Sequence, residues 1–381
     1  MNISYLYSLI AVIVLALFAY VGSKFGGGEA LFGLIFPLLA GLTFTVGFIY
    51  RIVDWARSPV PFRIPTTCGQ QKSLPWIKSA CIENPTTTGG VVVRMILEVV
   101  LFRSLFRNTT CELKEGDKLA YRWEIWLWVG ALAFHYAFFT VVVRHLRFFM
   151  EPVPVCLQFL ETLDGFLQIG LPGLMLSGVV LLAAAVFLFL RRILTPHVRY
   201  ISLASDYFPL FLIMGIAFSG ILMRYFTKVE IVNVKAFTMG LVTLHPHIPD
   251  GIGGIFYVHL FLVSVLLVYF PFSKLMHLGG IFMSPTRNLT TDTRAKRHIN
   301  PWNSPVKIHT YEHYEDEFRE KMVDVGLPVD KMLEAQPPEE PEVPEAPETP
   351  EAPETPKEPE VSEKPEVPAE PEAPEAPEKK E

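Results

Sequence analysis

Long apolar runs separated by polar stretches dominate the chain. A hydrocarbon layer of ~30 Å takes about 20 helical residues to cross, and six of the runs reach that length. The pattern therefore predicts an all-α integral membrane protein with six transmembrane helices. The first run lacks a basic leading segment and an A-x-A cleavage site, so we expect it to be retained. The expected spans are residues 3–21, 30–52, 123–149, 169–190, 207–225 and 252–278.

The polar stretches divide the rest of the chain. Residues 91–107 are apolar but interrupted by charged side chains, which predicts a helix lying at the membrane surface. The Pro/Glu-rich tail cannot bury a core and should be disordered. The expected organisation is two N-terminal spans (1–53), a cytoplasmic or interfacial loop (54–121), a core of four spans (122–283), a cytoplasmic docking segment with a helix near 312–325 (284–336), and the disordered tail (337–381).

The net charge of −6 combines two opposite parts. The tail from Pro337 holds 16 Glu and 4 Lys, a net of −12, so the remainder carries +6. The cations of that remainder concentrate in residues 51–122, in residues 191–199 and after the sixth span. If the chain crosses the membrane six times, these three stretches lie on the same side of it. The positive-inside rule makes that side the cytoplasm. Both termini are therefore expected on the cytoplasmic side of the inner membrane.

Four histidines lie in the third and sixth runs, where an ionisable group is costly and is a functional hypothesis by default. His259 and His277 are 18 residues apart, so one continuous helix would place them on one face, roughly 27 Å apart in height. His135 and His145 are 10 residues apart, roughly 15 Å. The third and sixth spans cross the membrane in opposite directions, because one is an odd and the other an even crossing. With their centres level, His145 should face His259 and His135 should face His277, each offset by about 6 Å.

Two imidazoles that face each other can clamp a haem iron from both sides. The histidine pattern therefore predicts two b-type haems stacked in a four-helix core, with all four histidines as iron ligands. Two haems at different depths bridge a layer of ~30 Å that one cannot. The alternative is four unrelated polar histidines in membrane helices.

The histidine spacings resemble those of the gamma subunit family of respiratory nitrate reductases, over roughly residues 120–280. The resemblance implies a dihaem, quinol-facing subunit that passes electrons to a cytoplasmic iron–sulfur partner. The chain departs from that family by an extra N-terminal span, the long 54–122 loop and the C-terminal segment.

The departures resemble a second family, the DsrM-type membrane cytochrome b subunits of the complex associated with dissimilatory sulfite reduction. The stretches that carry this resemblance are PFRIPTTCGQQKSLPWIKSACIENP and HINPWNSPVKIHTYEHYEDEFREKM. It covers about residues 1–335 and implies electron exchange with menaquinone. It also implies a cytoplasmic iron–sulfur partner similar to heterodisulfide reductase, further membrane and periplasmic subunits, and a link to sulfate respiration.

Arg144 and Arg147 flank His145 at the predicted outer end of the third span, against the charge trend. They are candidates for pairing with the propionates of the outer haem or polarising a quinone oxygen, because an arginine fork suits such groups. That interpretation places the quinone site near His145 and His259. The alternative is snorkelling to lipid headgroups.

The other histidines and the cysteines are weaker candidates. No C-x-x-C spacing indicates a zinc or iron–sulfur site, so any cluster is expected on a partner, and no nucleic-acid signature is present. These residues are His197, His245, His247, His298, His309, His313, Cys68, Cys81, Cys111 and Cys156.

The sequence thus predicts a dihaem cytochrome b that exchanges electrons between the menaquinone pool and a cytoplasmic iron–sulfur partner. One alternative is a gamma-subunit-like quinol oxidase of another reductase complex. Another is a non-redox membrane anchor or transporter, but a transporter is expected to carry acidic groups at mid-membrane, and Glu124 and Asp206 lie near span ends.

Overall fold

The computed structural model describes the chain as two units, residues 3–297 and residues 308–331, and each is considered by itself. Cys68, His298 and the tail from Pro337 lie outside the described residues. The described ranges are 3–60, 69–116, 118–170, 172–249, 251–297 and 308–331.

Six helices in the described ranges are long and apolar enough to cross a membrane, which confirms the number of spans predicted from sequence. The fourth begins at Leu176, seven residues later than expected, because turns and irregular structure occupy the described residues between Asp164 and Leu176. The spans are Ser4–Gly22, Gly28–Arg57, Ile125–Phe149, Leu176–Leu194, Ala204–Thr227 and Gly254–Phe272.

Fifteen α-helices occur in the described ranges. Several spans contain more than one type of helix, with π-helical turns at Leu31–Ile35 and Leu222–Thr227 and a 3₁₀ turn at Leu146–Phe149. The α-helices are α1 (Ser4–Gly22), α2 (Gly28–Ala30), α3 (Phe36–Arg57), α4 (Thr88–Leu101), α5 (Arg103–Phe106), α6 (Ile125–His145), α7 (Val155–Asp164), α8 (Leu176–Leu194), α9 (Pro196–Ile201), α10 (Ala204–Ile221), α11 (Ile231–Val242), α12 (Gly254–Tyr269), α13 (His277–Met283), α14 (Pro285–Asn288) and α15 (Tyr311–Asp324).

The sequence pattern predicted an all-α protein, but the described residues also contain a small β-sheet. Two strands, β1 (Thr109–Lys114) and β2 (Lys118–Trp123), form an antiparallel hairpin just before α6. Thr109 pairs with Trp123 and Lys114 with Lys118. Polar and apolar residues alternate along β2 with the period of a strand. β2 is only six residues long, and most of it falls in the stretch that the sequence predicted to be a loop.

The membrane helices form a bundle in which neighbours in sequence pack side by side. α6 lies along α8, α8 along α10, and α10 along α12. α1 packs on both α10 and α12, and α3 packs on α12. The main core lies where α1, α10, α11 and α12 meet, around the fully buried side chains of Tyr207, Leu212, Phe237, Tyr257 and Leu262.

Helix α4 has its charged residues inside and its apolar residues outside. Arg94 and Glu98 are buried, whereas Val92, Val93 and Ile96 are each more than half exposed. A helix with its apolar side outward suits contact with lipid, and the location of this segment at the membrane surface stays a prediction. Burial lowers the pKa of the Arg94 guanidinium, with Arg287 as a second cause.

The second unit contains α15, close to the helix predicted at 312–325. Glu315 is buried in this unit and accepts the backbone N–H groups of Asp330 and Lys331 at 2.9 and 2.8 Å. These bonds hold the pKa of the Glu315 carboxyl below its ordinary value, with the Arg319 side chain adding to the effect.

Candidate functional site

His135 and His277 lie beside each other near one end of the bundle, which we call the His135 end. Their ring centroids are 5.9 Å apart and their planes are inclined by 87°. His135 Nδ1 bonds the carbonyl oxygen of Ala131 at 2.8 Å, and His277 Nδ1 bonds that of Lys274 at 3.0 Å. Phe102, in the turn between α4 and α5, packs edge-on against His135 with centroids 4.9 Å apart.

His145 and His259 lie beside each other near the opposite end, the His145 end. Their centroids are 6.4 Å apart and their planes are nearly parallel, at 17°. His145 Nδ1 bonds the carbonyl oxygen of Val141 at 2.6 Å. His259 Nδ1 lies 2.9 Å from Ser219 Oγ, whose own hydrogen is donated to the Ile216 carbonyl at 3.0 Å.

All four imidazoles are held in the form that can ligate a metal. A carbonyl oxygen only accepts, so Nδ1 of His135, His145 and His277 carries the proton. The Ser219 hydroxyl can donate to the Ile216 carbonyl, and its oxygen then accepts from the His259 Nδ1. Each Nε2 therefore keeps its lone pair, as in metal-ligating histidines whose other nitrogen is bonded to the protein.

The separation of the rings within each pair also fits a shared iron. Metal–imidazole bonds are about 2 Å long, so two imidazoles on opposite sides of one ion have ring centroids roughly 6 Å apart. The observed values are 5.9 and 6.4 Å. In the described part of the chain, no group of three or more His, Cys, Asp or Glu could hold a metal ion. A haem needs only two protein ligands because the porphyrin supplies four nitrogens, and each pair offers that number.

The two histidines of the sixth span do not lie on one continuous helix, and that expectation from sequence is wrong. α12 ends at Tyr269, a 3₁₀ turn covers Phe270–Phe272, and His277 begins the separate helix α13. Pro271 explains the break, because its ring lacks an N–H and clashes with the preceding turn of an α-helix. The facing pairs expected from sequence are nevertheless the pairs that the structure brings together.

An apolar layer fills the bundle between the two pairs. Ala137, Leu181 and Ile213 are buried together, contributed by α6, α8 and α10. Leu266 packs on them from α12. Four helices thus meet in this layer.

Arg144 and Arg147 are held by carboxylates of α7, a helix that the sequence analysis did not predict. Arg144 is paired with Asp164 and donates to Ser177 Oγ at 3.0 Å, and Asp164 also accepts the Ser177 N–H at 2.7 Å. Arg147 is paired with Glu161. These ion pairs account for two cations at this end of the span. The signal that could have revealed them is a pair of acidic residues shortly after a predicted span end.

Two cavities open at the His145 end. The first, of about 570 Å³, lies under α7, and we call it the arginine cavity because Arg147 and Arg224 line it. Arg224 donates to the Gly173 carbonyl at 3.3 Å, while its Nε is buried without a partner. Glu161 and Gln158 also line this cavity.

The second cavity, of about 550 Å³, lies between the turn that joins α1 to α2 and the start of α12. We call it the Tyr257 cavity. Its polar wall is formed by Lys24, Glu29 and Tyr257, and its apolar wall includes Phe25 and Ile248. Sequence reasoning missed these residues, although Tyr257 stands only two positions before His259.

The remaining candidates named from sequence do not form a further cluster in the described residues. His245 Nδ1 bonds the Thr243 carbonyl at 2.7 Å in a loop. The rings of His309 and His313 in the second unit are also 6.3 Å apart. These two residues stand four positions apart at the start of α15, so the spacing of one helical turn accounts for that distance. The described cysteines are exposed and not in disulfides: Cys81, Cys111 and Cys156.

Comparison with known proteins agrees with this membrane architecture. The sequence model of the nitrate reductase gamma subunit family matches residues 118–297, the region that holds all four histidines. The respiratory nitrate reductase 1 gamma chain of Escherichia coli is 32% identical over 114 residues, which cover 28% of this chain and 50% of that protein.

Two archaeal relatives are more similar. The Hdr-like menaquinol oxidoreductase cytochrome b-like subunit of Archaeoglobus fulgidus is 45% identical over 280 residues, covering 72% of this chain and 83% of the relative. Its counterpart in Archaeoglobus profundus is 43% identical over 274 residues, covering 70% and 81%. Because the alignments cover most of the length of both relatives at this level of identity, the chain belongs to the family of Hdr-like menaquinol oxidoreductase cytochrome b-like subunits.

Proposed function

We propose that this protein is a dihaem cytochrome b subunit that exchanges electrons between the menaquinone pool and a cytoplasmic iron–sulfur partner. The observation that carries the proposal is the state of the four imidazoles. They form two facing pairs at haem-like separation, and every Nδ1 is bonded so that every Nε2 is free to bind iron.

Bound haems would supply one-electron carriers at two depths of the membrane. The chain itself holds and orients the ligands. Backbone carbonyls one turn earlier on α6 fix the rings of His135 and His145, and the apolar layer around Leu181 lies between the pairs. Such outer bonds set ring orientation and ligand basicity.

The quinone site is proposed at the His145 end, near His145 and His259, where both cavities open. Arg147 lines the arginine cavity. Arg144 stands three residues before Arg147, about one helical turn. We propose that these cations balance negative charge at this end of the bundle, either a haem propionate or a quinone oxygen, in addition to the α7 carboxylates they already bind.

The partners and setting are part of the proposal and rest on the sequence resemblance and on the names of the relatives. The cytoplasmic partner is an iron–sulfur subunit similar to heterodisulfide reductase, joined by further membrane and periplasmic subunits. The chain is of the DsrM type, linked to sulfite reduction, and lies in the inner membrane with both termini in the cytoplasm.

The test is a haem count followed by removal of single ligands. The pyridine-haemochrome spectrum of the purified subunit should show two b-type haems. His145→Ala and His259→Ala should each remove the same haem, and His135→Ala and His277→Ala the other. The ring planes differ between the pairs, 17° against 87°, so the two ferric signals should be separable by EPR.

Loss of the same species in the His135 and His145 variants would show that the pairing is wrong. A purified subunit without haem would overturn the redox function and favour a membrane anchor.

A further inference from the structure

The Tyr257 cavity contains a buried hydroxyl without a partner. Tyr257 is 1% exposed, and its hydroxyl group makes no hydrogen bond. Leaving a buried hydroxyl unsatisfied is unfavourable, so an unpartnered hydroxyl on a residue that lines a cavity is a candidate partner for a ligand there. An oxygen of the ligand would accept this hydrogen.

Two further polar groups of the cavity are also available. Glu29 makes no hydrogen bond or ion pair to any described residue, and Lys24 contacts only the Tyr20 ring, 4.2 Å from its centroid. The wall thus offers a neutral donor, a charged acceptor and a cation. Phe25 and Ile248 provide apolar surface between them.

The turn that forms the other wall is fixed by glycine. Gly27 has a φ of +82°, and a Cβ at Gly28 would lie 2.0 Å from the Gly22 carbonyl oxygen. Glycine adopts a positive φ without strain and has no Cβ to clash, so it suits both the Gly27 and the Gly28 position. The cavity is therefore built into the fold, between a tight turn and the first turn of α12, rather than left by mobile side chains.

The arginine cavity offers a different environment. Arg147 is paired with Glu161, and Gln158 donates to the Val153 carbonyl at 2.9 Å, so most of its polar groups are satisfied. Its remaining unpartnered atom belongs to the cation Arg224. A cavity with two guanidinium groups suits an anionic carboxylate better than an uncharged ring.

We propose that the Tyr257 cavity binds the headgroup of a quinol or quinone, an apolar ring with two opposed oxygens. Tyr257 donates to one ring oxygen, and Glu29 accepts from the hydroxyl of the quinol form. A volume of about 550 Å³ falls within the range of ligand pockets, about 300–1,000 Å³. The inference rests on the proposed function, since it places the quinone of that function in one of the two cavities.

The location supports this assignment. Tyr257 and Gly254 both belong to the first turns of α12, and His259 follows two residues after Tyr257, a rise of about 3 Å along the helix. Two residues turn an α-helix by about 200°, so the ligand would lie against the helix that carries a proposed haem ligand, on the side opposite to that ligand. Residues 23–30 lie outside the 118–297 region matched by the nitrate reductase gamma family, so this wall comes from the N-terminal spans.

The binding of a short-tailed naphthoquinone and its quinol to the purified full-length protein tests the proposal. Tyr257→Phe keeps the ring and removes the hydroxyl, and we expect about fivefold to tenfold weaker binding of both forms, the loss of one hydrogen bond. Glu29→Gln should weaken quinol binding more than quinone binding, because a charged acceptor becomes a weaker, neutral one that also donates.

Tyr207→Phe is the matched control. Tyr207 is also 1% exposed with an unpartnered hydroxyl, but it does not line this cavity. Its removal should leave affinity unchanged. Haem content measured on the same samples checks that each variant is folded.

Cross-linking of the wild-type protein with an azido-naphthoquinone provides a second readout that needs no variant. Cross-links are expected in residues 23–30. Cross-links confined to residues 153–175, or equal affinities in Tyr257→Phe and Tyr207→Phe, would overturn the proposal and move the headgroup to the arginine cavity. A two-haem spectrum in those samples would leave the proposed function standing, whereas a wild-type protein without haem would reject that function separately.

Discussion

At the scale of single residues, one of the four histidines differs from the others in how its Nδ1 is held. Three imidazoles bond a backbone carbonyl, but the His259 Nδ1 bonds the hydroxyl of Ser219. A carbonyl partner is fixed by the helix itself. A side-chain partner can be removed by mutation, which makes this bond testable.

Ser219→Ala should raise the midpoint potential of the haem proposed at the His145 end by a few tens of mV. Removing the acceptor makes the His259 imidazole less basic and therefore a weaker stabiliser of ferric iron, and outer-shell bonds of this kind change metal affinity by about tenfold or more, which corresponds to about 59 mV for one electron. A redox titration of both haems measures the shift.

Ser264→Ala provides the comparison for that titration. Ser264 is equally buried, on α12, and bonds the Leu260 carbonyl at 2.8 Å instead of a histidine. Its variant should leave both potentials in place. A Ser219→Ala protein with the wild-type potential would show that the hydroxyl does not tune the ligand.

At the scale of elements, the closeness of α6 and α8 depends on a glycine. A Cβ at Gly130 would lie 2.4 Å from Cε1 of Phe187 on α8. In membranes, where lipid tails remove much of the hydrophobic drive for helix association, small residues at helix contacts allow the close packing that holds a bundle together. α6 carries His135 and His145, so this contact also positions half of the candidate ligands.

Gly130→Ala should lower the free energy of unfolding by about 1–3 kcal/mol, the usual cost of overpacking a filled contact. Gly178→Ala is its control, because Gly178 lies within α8 and a Cβ there meets nothing within 4 Å. The control should be neutral or gain up to about 1 kcal/mol from helix propensity. Thermal unfolding in detergent, followed by haem absorbance, measures both. Equal stability of the two variants would contradict the packing argument.

At the scale of the whole molecule, the membrane bundle and the C-terminal part are expected to serve different purposes. The bundle holds both histidine pairs. The C-terminal segment carries aromatic and charged side chains that suit contact with a partner, and the tail from Pro337, outside the described residues, has a composition that cannot form a core.

Two truncations separate these parts. Deletion from Pro337 onward should leave haem content and assembly with the partner unchanged. Deletion from Pro301 onward, which also removes α15, should leave haem content intact but weaken partner association. Co-purification of the complex measures both. Loss of assembly in the shorter deletion would give the tail a role that its composition does not predict.

The sequence by itself determined the number of spans, a helix around Arg94 and the candidate ligands. These features follow from local properties, because the length of an apolar run and the position of a histidine within it need no knowledge of distant contacts. The spacing of the histidines also suggested which of them face each other. That argument assumed one continuous sixth helix, which Pro271 interrupts.

Only the tertiary structure decided where these groups lie relative to one another. The carboxylates of α7 that hold Arg144 and Arg147, the Ser219 hydroxyl on His259 and the wall of the Tyr257 cavity all come from residues far along the chain from the groups they meet. Hydropathy records whether a residue prefers lipid or water. It carries no information about which buried polar group finds which partner, since that depends on how the helices pack.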